Sequence, residues 1–414
     1  MNNVISYLTG IQYFTANTKG RVLLYLVAFV PMIYKLISPF FIIAGLSEYT
    51  FIIMPVFTVA GIILARHSIR ASVHFFDFFV YLLCLVVLIL SPMLYPKTQV
   101  LYEENFEAFA FSVLPFLFIG LMIDYKRDFL NLRFVARLGI FVQLFLQICM
   151  IMGLVDTELG TEDSLGEQME AAYQLLFPIL ILYISISREF TVIDFVLAFI
   201  GTVLLFMMGA RGPIVVYGIF VMGYFVYFKQ YQKYIYLKKG IVIALFGLFY
   251  YYLNVIILAF LPLALQLGFS TRVFDSILDD RMVNINESSD RDAFYGNVLR
   301  EIQNDDGFGH GWLSDRLFTP DGMYVHNFEL EVLCQFGYIF GGAILLVLFI
   351  LFFRSYVSCK KERTIEFWYV MLCSGFFALQ FSYSYVKYPM FFVLVGFLIS
   401  NKNIKHNRSD VVYV

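Results

Sequence analysis

The sequence predicts an all-α polytopic membrane protein with about twelve transmembrane helices and one large extracytoplasmic loop. Three observations carry that prediction. Of 414 residues, 60% are hydrophobic and only 14% charged, more apolar surface than a soluble core of that length can hide. The apolar residues come in runs near the bilayer-spanning length of about 20 residues. Lys and Arg fall mostly on alternate connections between those runs, the asymmetry that orients membrane helices.

Taken in order, the runs lie at about 22–45, 48–65, 74–95, 106–123, 134–154, 170–187, 191–209, 212–228, 240–266, 327–353, 367–383 and 385–400, judged against the thickness of the hydrocarbon core. Lys387 and Pro389 mark the turn between the last two. No repeat of fixed period and no linker interrupts the series, so residues 1–414 read as a single integral membrane domain. Residues 268–326 form its extracytoplasmic loop.

One set of connections carries Lys19/Arg21, Arg66/Arg70, Lys126/Arg127, Arg188, Lys229/Lys233 and Lys360/Lys361. The other set is acidic in places, as at Glu103, Glu104 and Glu107. Both termini are therefore expected in the cytoplasm, with the long loop outside. Met1 to Gly20 is polar and shows no removable signal peptide. The net charge of −2 excludes nucleic-acid binding driven by bulk charge. Cys84, Cys149, Cys334, Cys359 and Cys373 have no paired spacing, so neither a disulfide framework nor a zinc site is indicated.

Several cations stay on the outer side against this bias. Arg211 lies in Met208-Gly209-Ala210-Arg211-Gly212-Pro213, a tight turn between the seventh and eighth runs. A helix start beside a guanidinium makes an anion cradle; the bland alternative is an arginine that snorkels to headgroups. Five more arginines lie in the long loop. Within the spans, Lys35, Asp77 and Asp194 are placed to pair in the bundle or line a path. Gln143, Gln147 and Gln380 are interhelical hydrogen-bond candidates.

Inside the loop, Phe294, Val298, Leu299 and Ile302 recur at helical spacing, which predicts a short amphipathic helix over Ala293–Gln303 lying on the membrane face. Ser288 to Asp290 supply caps before it. Arg291 sits at its start, where a cation opposes the helix dipole; it serves either a ligand or an ordinary pair with Asp290, Asp292 or Glu287. Gly307-Phe308-Gly309-His310-Gly311 lacks the strand and Lys of a nucleotide site. It reads instead as a tight turn whose amides approach an anion or a sugar. Trp312 either stacks on a pyranose or anchors the loop at headgroup level.

His326-Asn327 opens the tenth run, with Glu329 and Glu331 soon after. Carboxylates there are costly unless they pair or face a cavity. A neutral imidazole accepts a proton from a hydroxyl near physiological pH, although a His at a helix start also serves as a structural hydrogen-bonding residue.

These features together resemble the O-antigen polymerase and ligase family of bacterial membrane glycosyltransferases: roughly twelve spans, a Gly-Ala-Arg-Gly turn, a large outer loop, a Gly-x-Gly-x-Gly turn and His-Asn-Phe-Glu-Leu before Phe336-Gly337. The specific motifs cover Gly209–Pro213 and Ser288–Gly337 only. The resemblance implies a bacterial inner (cytoplasmic) membrane enzyme that polymerises undecaprenyl-diphosphate-linked oligosaccharide repeat units into O-antigen, capsule or exopolysaccharide. It implies no metal and no cofactor. By position, Arg211 and Arg291 bind the donor diphosphate, and His326 handles the acceptor hydroxyl with Glu329 or Glu331 as orienter or substitute. Gly309, Gly311, Trp312, Asn327 and Glu331 complete the expected substrate site. Asp305-Asp306 stands where the family often has proline, which shifts the expected role of the turn from phosphate to sugar hydroxyls. The family often works with a chain-length regulator. Alternatives left open are a ligase that passes the glycan to another anchor and a lipid-linked oligosaccharide flippase or transporter.

Overall fold

The computed structural model describes residues 75–151, 162–225 and 291–400, apart from Gly209, Pro320, Asp321 and Ser382, together with Pro262. The expected spans at 22–45 and 48–65, nearly all of 240–266, Lys35 and the caps Ser288–Asp290 lie outside the described residues. Among the described residues the regular structure is helical, with no strand. The helices are α1 Phe75–Leu94, α2 Gln99–Ala108, α3 Phe116–Met122, α4 Tyr125–Ile151, α5 Glu162–Arg188, α6 Val192–Met207, α7 Arg211–Gly223, α8 Arg291–Asn304, α9 Phe328–Phe336 and α10 Gly342–Glu362, then α11 Ile365–Phe381 and α12 Pro389–Ser400.

Among the described residues, three stretches are long and apolar enough to cross a membrane: Asp128–Cys149, Met169–Arg188 and Phe328–Glu362. A fourth exists if Cys84–Leu94 and Pro96–Ala108, which meet at 103°, form one broken span. Proline explains that break. Pro96 starts a 3₁₀ turn, Pro96–Thr98, and a residue without an N–H cannot continue the ladder of the preceding helix. The remaining apolar helices, α6, α7, α11 and α12, are shorter.

The chain divides into two compact units, and among the described residues one holds 132–225 and the other 75–131 and 291–400. The first is organised around α5, whose Ala172, Leu175, Leu176, Ile179 and Leu180 are fully enclosed. An ionic clamp ties α4, α5 and α6. Buried Asp194 accepts from Arg133 Nε at 2.7 Å, Arg137 Nε at 2.6 Å and Ser185 Oγ at 2.7 Å. Arg133 continues to Glu189 at 3.2 Å and Thr191 at 3.0 Å. Thr191 also caps α6, accepting from Asp194 N. A carboxylate beside an apolar helix is tolerable here because charge partners and hydrogen bonds meet it on both oxygens.

In the second unit, glycines let helices touch backbone to backbone. A Cβ on Gly120 of α3 would run into Val393 O and come within 2.8 Å of Phe397 N, and one on Gly396 of α12 would strike Leu117 O. This is small-residue packing of the kind used between membrane helices. Tyr125 stacks on Phe367 with ring centres 4.4 Å apart, and Lys126 pairs with Glu362 at 3.6 Å. Lys360 and Lys361 end α10, where cations complement the helix dipole.

Candidate functional site

The described part of the loop belongs to the second unit and is built as a packed structure. Its helix α8 runs Arg291–Asn304, slightly longer than the spacing predicts. Val298 and Ile302 are buried with Val325 and Cys334, flanked by Tyr295, Phe318, Leu330 and Leu333. The apolar face is therefore spent on α9 rather than on a bilayer surface. Burial against a neighbouring helix satisfies the same hydrophobic demand, and Leu299, at the edge of that face, stays exposed.

The glycine turn has a different role from the expected one. Gly307, Gly309 and Gly311 all have positive φ, at 97°, 81° and 94°, a region that favours glycine. Asp305 Oδ2 accepts from Gly307 N at 2.9 Å and Gly309 N at 2.8 Å. His310 N and Gly311 N donate to Cys334 O and Gln335 O, each at 3.0 Å, while Ile339 N donates to Gly307 O at 3.0 Å. Trp312 N donates to Ser91 Oγ at 2.9 Å. The amides that the sequence offers to an anion or sugar are thus engaged within the protein. Asp305 clamps the turn, and the turn docks on the end of α9. A Cβ at Gly309 would lie 2.5 Å from Gln335 O, and one at Gly311 would lie 2.6 Å from Tyr95 Cβ. Both glycines permit close packing, which the pattern of spacing alone does not reveal.

Trp312 is neither a headgroup anchor nor an open stacking platform. It is 1% exposed, with Tyr102 and Phe109 ring centres 5.8 and 5.3 Å away. Below it lies a polar core. Asp315 accepts from Gln335 Nε2 at 2.7 Å and from Val325 N at 3.3 Å. Gln335 in turn accepts from Tyr385 OH at 2.5 Å, and Ser384 Oγ donates to Glu331. Burial pushes the Asp315 carboxyl up from the ordinary aspartate range, against the pull of the Gln335 amide and the Arg316 charge.

Arg316 is the residue that sequence reasoning did not single out from the loop's five arginines. It is 7% exposed. Nη1 donates to Asn105 Oδ1 at 3.0 Å, and the Arg316 charge acts on both Asp315 and Glu331. Among the described residues its Nε and Nη2 have no hydrogen-bond partner. Buried guanidinium groups normally have their donors matched, so an unmatched Nε/Nη2 edge is chemically conspicuous. Its only sequence signal is the run Asp315-Arg316, which is too common to choose it.

The start of α9 carries the expected histidine. His326 has φ 55°, left-handed for a residue with a side chain, a strained state that clusters at functional sites. Its ring lies 4.3 Å from that of Tyr324. Asn327 caps α9, accepting from Leu330 N at 2.9 Å, so its side-chain oxygen serves the helix. Glu329 accepts from Gln380 Nε2 at 3.0 Å, and Glu331 is buried on Ser384. His326, Glu329 and Glu331 are thereby held on one element with the Asp315–Arg316 core behind it. Arg291 begins α8, and its side chain lies outside the described residues. Arg211 begins α7 in the first unit, after a non-helical Ala210, consistent in backbone terms with a turn between two apolar helices.

Comparison of the chain with protein-family models, with curated proteins and with solved structures gives no match.

Proposed function

We propose that this chain is a membrane glycosyltransferase of the bacterial cytoplasmic membrane that polymerises polyprenyl-diphosphate-linked oligosaccharide repeat units. In this reading about twelve helices span the bilayer, both termini are cytoplasmic and the loop faces outward. The observation that carries it is Arg316: a buried guanidinium whose Nε/Nη2 edge is unmatched among the described residues, in the loop that ends at His326. That edge has the two-donor geometry that fits a phosphate. Both nitrogens are closed to solvent, so the reading requires the protein around Arg316 to open when donor binds.

Arg316 acts with Arg291 in neutralising the diphosphate, Arg211 is a further cation the reaction requires, and the glycine turn moves from ligand to scaffold. The acceptor hydroxyl attacks the anomeric carbon of the donor sugar. A new C–O bond forms as the C–O bond to the diphosphate breaks, and the diphosphate leaves on its lipid. The hydroxyl proton passes to the His326 imidazole. Arginines stabilise the departing charge without a metal.

The test uses purified protein and a synthetic lipid-linked repeat unit, scored as a ladder of longer glycans on a gel. Wild type is expected to elongate it. Arg211→Ala, Arg291→Ala and Arg316→Ala are each expected to lower the rate by about 10²–10³-fold, the size of one lost charge-stabilising donor. His326→Ala is expected to block transfer with donor still bound. No elongation by wild type, or normal ladders from all three arginine variants, removes the reading.

A further inference from the structure

Residues 332–353 carry no Asp, Glu, Lys or Arg. At about 1.5 Å per residue they rise about 33 Å, close to a hydrocarbon core of about 30 Å. With Arg354 at the cytoplasmic boundary, Phe340 lies about 21 Å above it and Gly337 about 25 Å, both still within that core. The glycine turn docks at this level. Ile339 N donates to Gly307 O at 3.0 Å, and the ring centres of Phe308 and Phe340 are 6.0 Å apart. A turn that the sequence assigns to the outer loop therefore sits beside the membrane-embedded part of the span.

The surface of the turn and its backbone both suit hydrocarbon. Phe308 is 53% exposed. Phe340, Ile344, Val347 and Ile350 are exposed as well and recur at helical spacing, so Phe308 extends the outward apolar face of the span. Met93 and Leu94 are also exposed, next to the Tyr95 whose hydroxyl donates to Phe308 O at 3.3 Å. The polar groups of the turn are met by protein: Asp305 accepts from Gly307 N and Gly309 N, and Cys334 O and Gln335 O accept from His310 N and Gly311 N. Irregular backbone at membrane depth is tolerated only where protein supplies such partners, whereas a turn in water has no need of them. Asp306 is exposed and sets the upper limit of immersion, because a charge in hydrocarbon is costly.

We propose that the glycine turn is immersed in the outer leaflet, with the Phe308 side chain among phospholipid acyl chains and Asp306 at headgroup level. The membrane anchor that the sequence suggests at Trp312 thereby falls to Phe308. This placement rests on the membrane-spanning, outward-facing part of the proposed reading and not on the glycan chemistry.

The experiment adds one tryptophan to the full chain, as Phe308→Trp, as Phe349→Trp on exposed α10, or as Asn297→Trp on the exposed side of α8. Each variant is reconstituted in phosphatidylcholine liposomes with plain or brominated acyl chains, and wild type supplies the background of Trp312 and Trp368. The added fluorescence of Phe308→Trp and Phe349→Trp is expected to be mostly lost to brominated chains and to resist iodide placed on both sides of the bilayer. That of Asn297→Trp is expected to be lost to iodide. Iodide quenching of Phe308→Trp, with Phe349→Trp quenched by brominated chains, would put the turn in water and overturn the proposal while the span stands. Protection of Phe308→Trp from both quenchers would mean that a second copy or another protein covers it, and would overturn the proposal equally. Iodide quenching of Phe349→Trp would remove the spanning reading and the immersed turn together. If Phe308→Trp does not fold, the unaltered protein is photolabelled in liposomes of phosphatidylcholine bearing an acyl-chain diazirine. Label is expected on the peptide containing Phe308, and label on the Phe349 peptide alone would overturn the assignment.

Discussion

Substituting Gly337 by alanine separates a packing role for the glycine turn from a ligand-binding one. Gly337 has φ +68°, and a Cβ built there would collide with Gly307 O and Gly309 N and lie 2.5 Å from Gly307 C. Each of these atoms is backbone, so no side-chain rotation relieves the clash. The backbone there, φ +68° with ψ −178°, is a region essentially reserved for glycine and costs an alanine about 1–3 kcal/mol. Forcing a methyl into closed packing adds about 1–3 kcal/mol. If relief comes by undocking the turn, the Ile339 N to Gly307 O bond at 3.0 Å is lost, about 1 kcal/mol more. The expected destabilisation of the loop is therefore about 2–7 kcal/mol, enough to release it without unfolding the helices around it. Two other glycines calibrate the reasoning. Gly322 shares φ +68° but meets nothing within 4 Å, so its alanine variant should cost only the backbone term. Gly296 lies within α8, also with nothing within 4 Å, and its alanine variant should gain about 0.5–1 kcal/mol from helix propensity. The assay is limited proteolysis of the loop with the glycan ladder measured in parallel. Gly337→Ala should cut fastest and elongate least, Gly322→Ala should be intermediate and Gly296→Ala should match or exceed wild type. A Gly337→Ala protein with a protease-resistant, active loop would refute the docking argument.

Two further outcomes test other parts of the fold. Asp194→Ala removes the buried carboxylate shared by Arg133 and Arg137 and leaves Arg133 the exposed Glu189; breaking such a pair should cost about 3–5 kcal/mol, read as a fall in Tm, and an unchanged Tm would show the clamp to be ornamental. For Asp315, burial raises the folded carboxyl above its unfolded value, so its contribution to stability is full below the unfolded aspartate pKa of about 3.9 and is lost as pH rises through the folded value. Wild-type Tm should therefore fall from acid towards neutral pH with a slope that Asp315→Asn flattens. Equal slopes in the two proteins would disprove the assignment.

Local features were legible in the sequence because their causes are local. The helix of the loop follows from Val298 and Ile302 at one helical turn's spacing, and the expected 293–303 falls inside the observed Arg291–Asn304. The apolar runs that begin at 74, 134, 170, 191, 212, 327, 367 and 385 each meet a helix. The run at 106–123 meets helix only in pieces, because a π-helical stretch, Phe109–Val113, and Pro115 interrupt it. Lengths were less legible: only three stretches, or four with the bent pair, meet the criterion for crossing a membrane among the described residues. The 103° break arises where Pro96 follows α1, and a hydropathy window averages over such a corner.

The site was legible at its chemical candidates and opaque at their duties. Gly309 and Gly337 are 28 positions apart in the sequence, and only folding makes each the reason the other must be glycine. Arg316 finds its neutral partner Asn105 across 211 positions, a distance over which spacing carries no information. Trp312 looks like a surface aromatic until α2 and Phe109 enclose it. This reassignment narrows the chemistry. With the turn amides at Gly307, Gly309, His310 and Gly311 already accepted by Asp305 and α9, backbone donors in that turn cannot supply the charge that a leaving diphosphate demands. In the proposed reaction that demand falls on guanidinium side chains, and Arg316 is the arginine of the described loop that combines burial with an unmatched donor edge. Changing Arg316 to lysine keeps the positive charge but removes the planar pair of donors. Donor binding that survives this change while turnover falls would mean that the geometry of the fork, beyond charge alone, acts in the transition state.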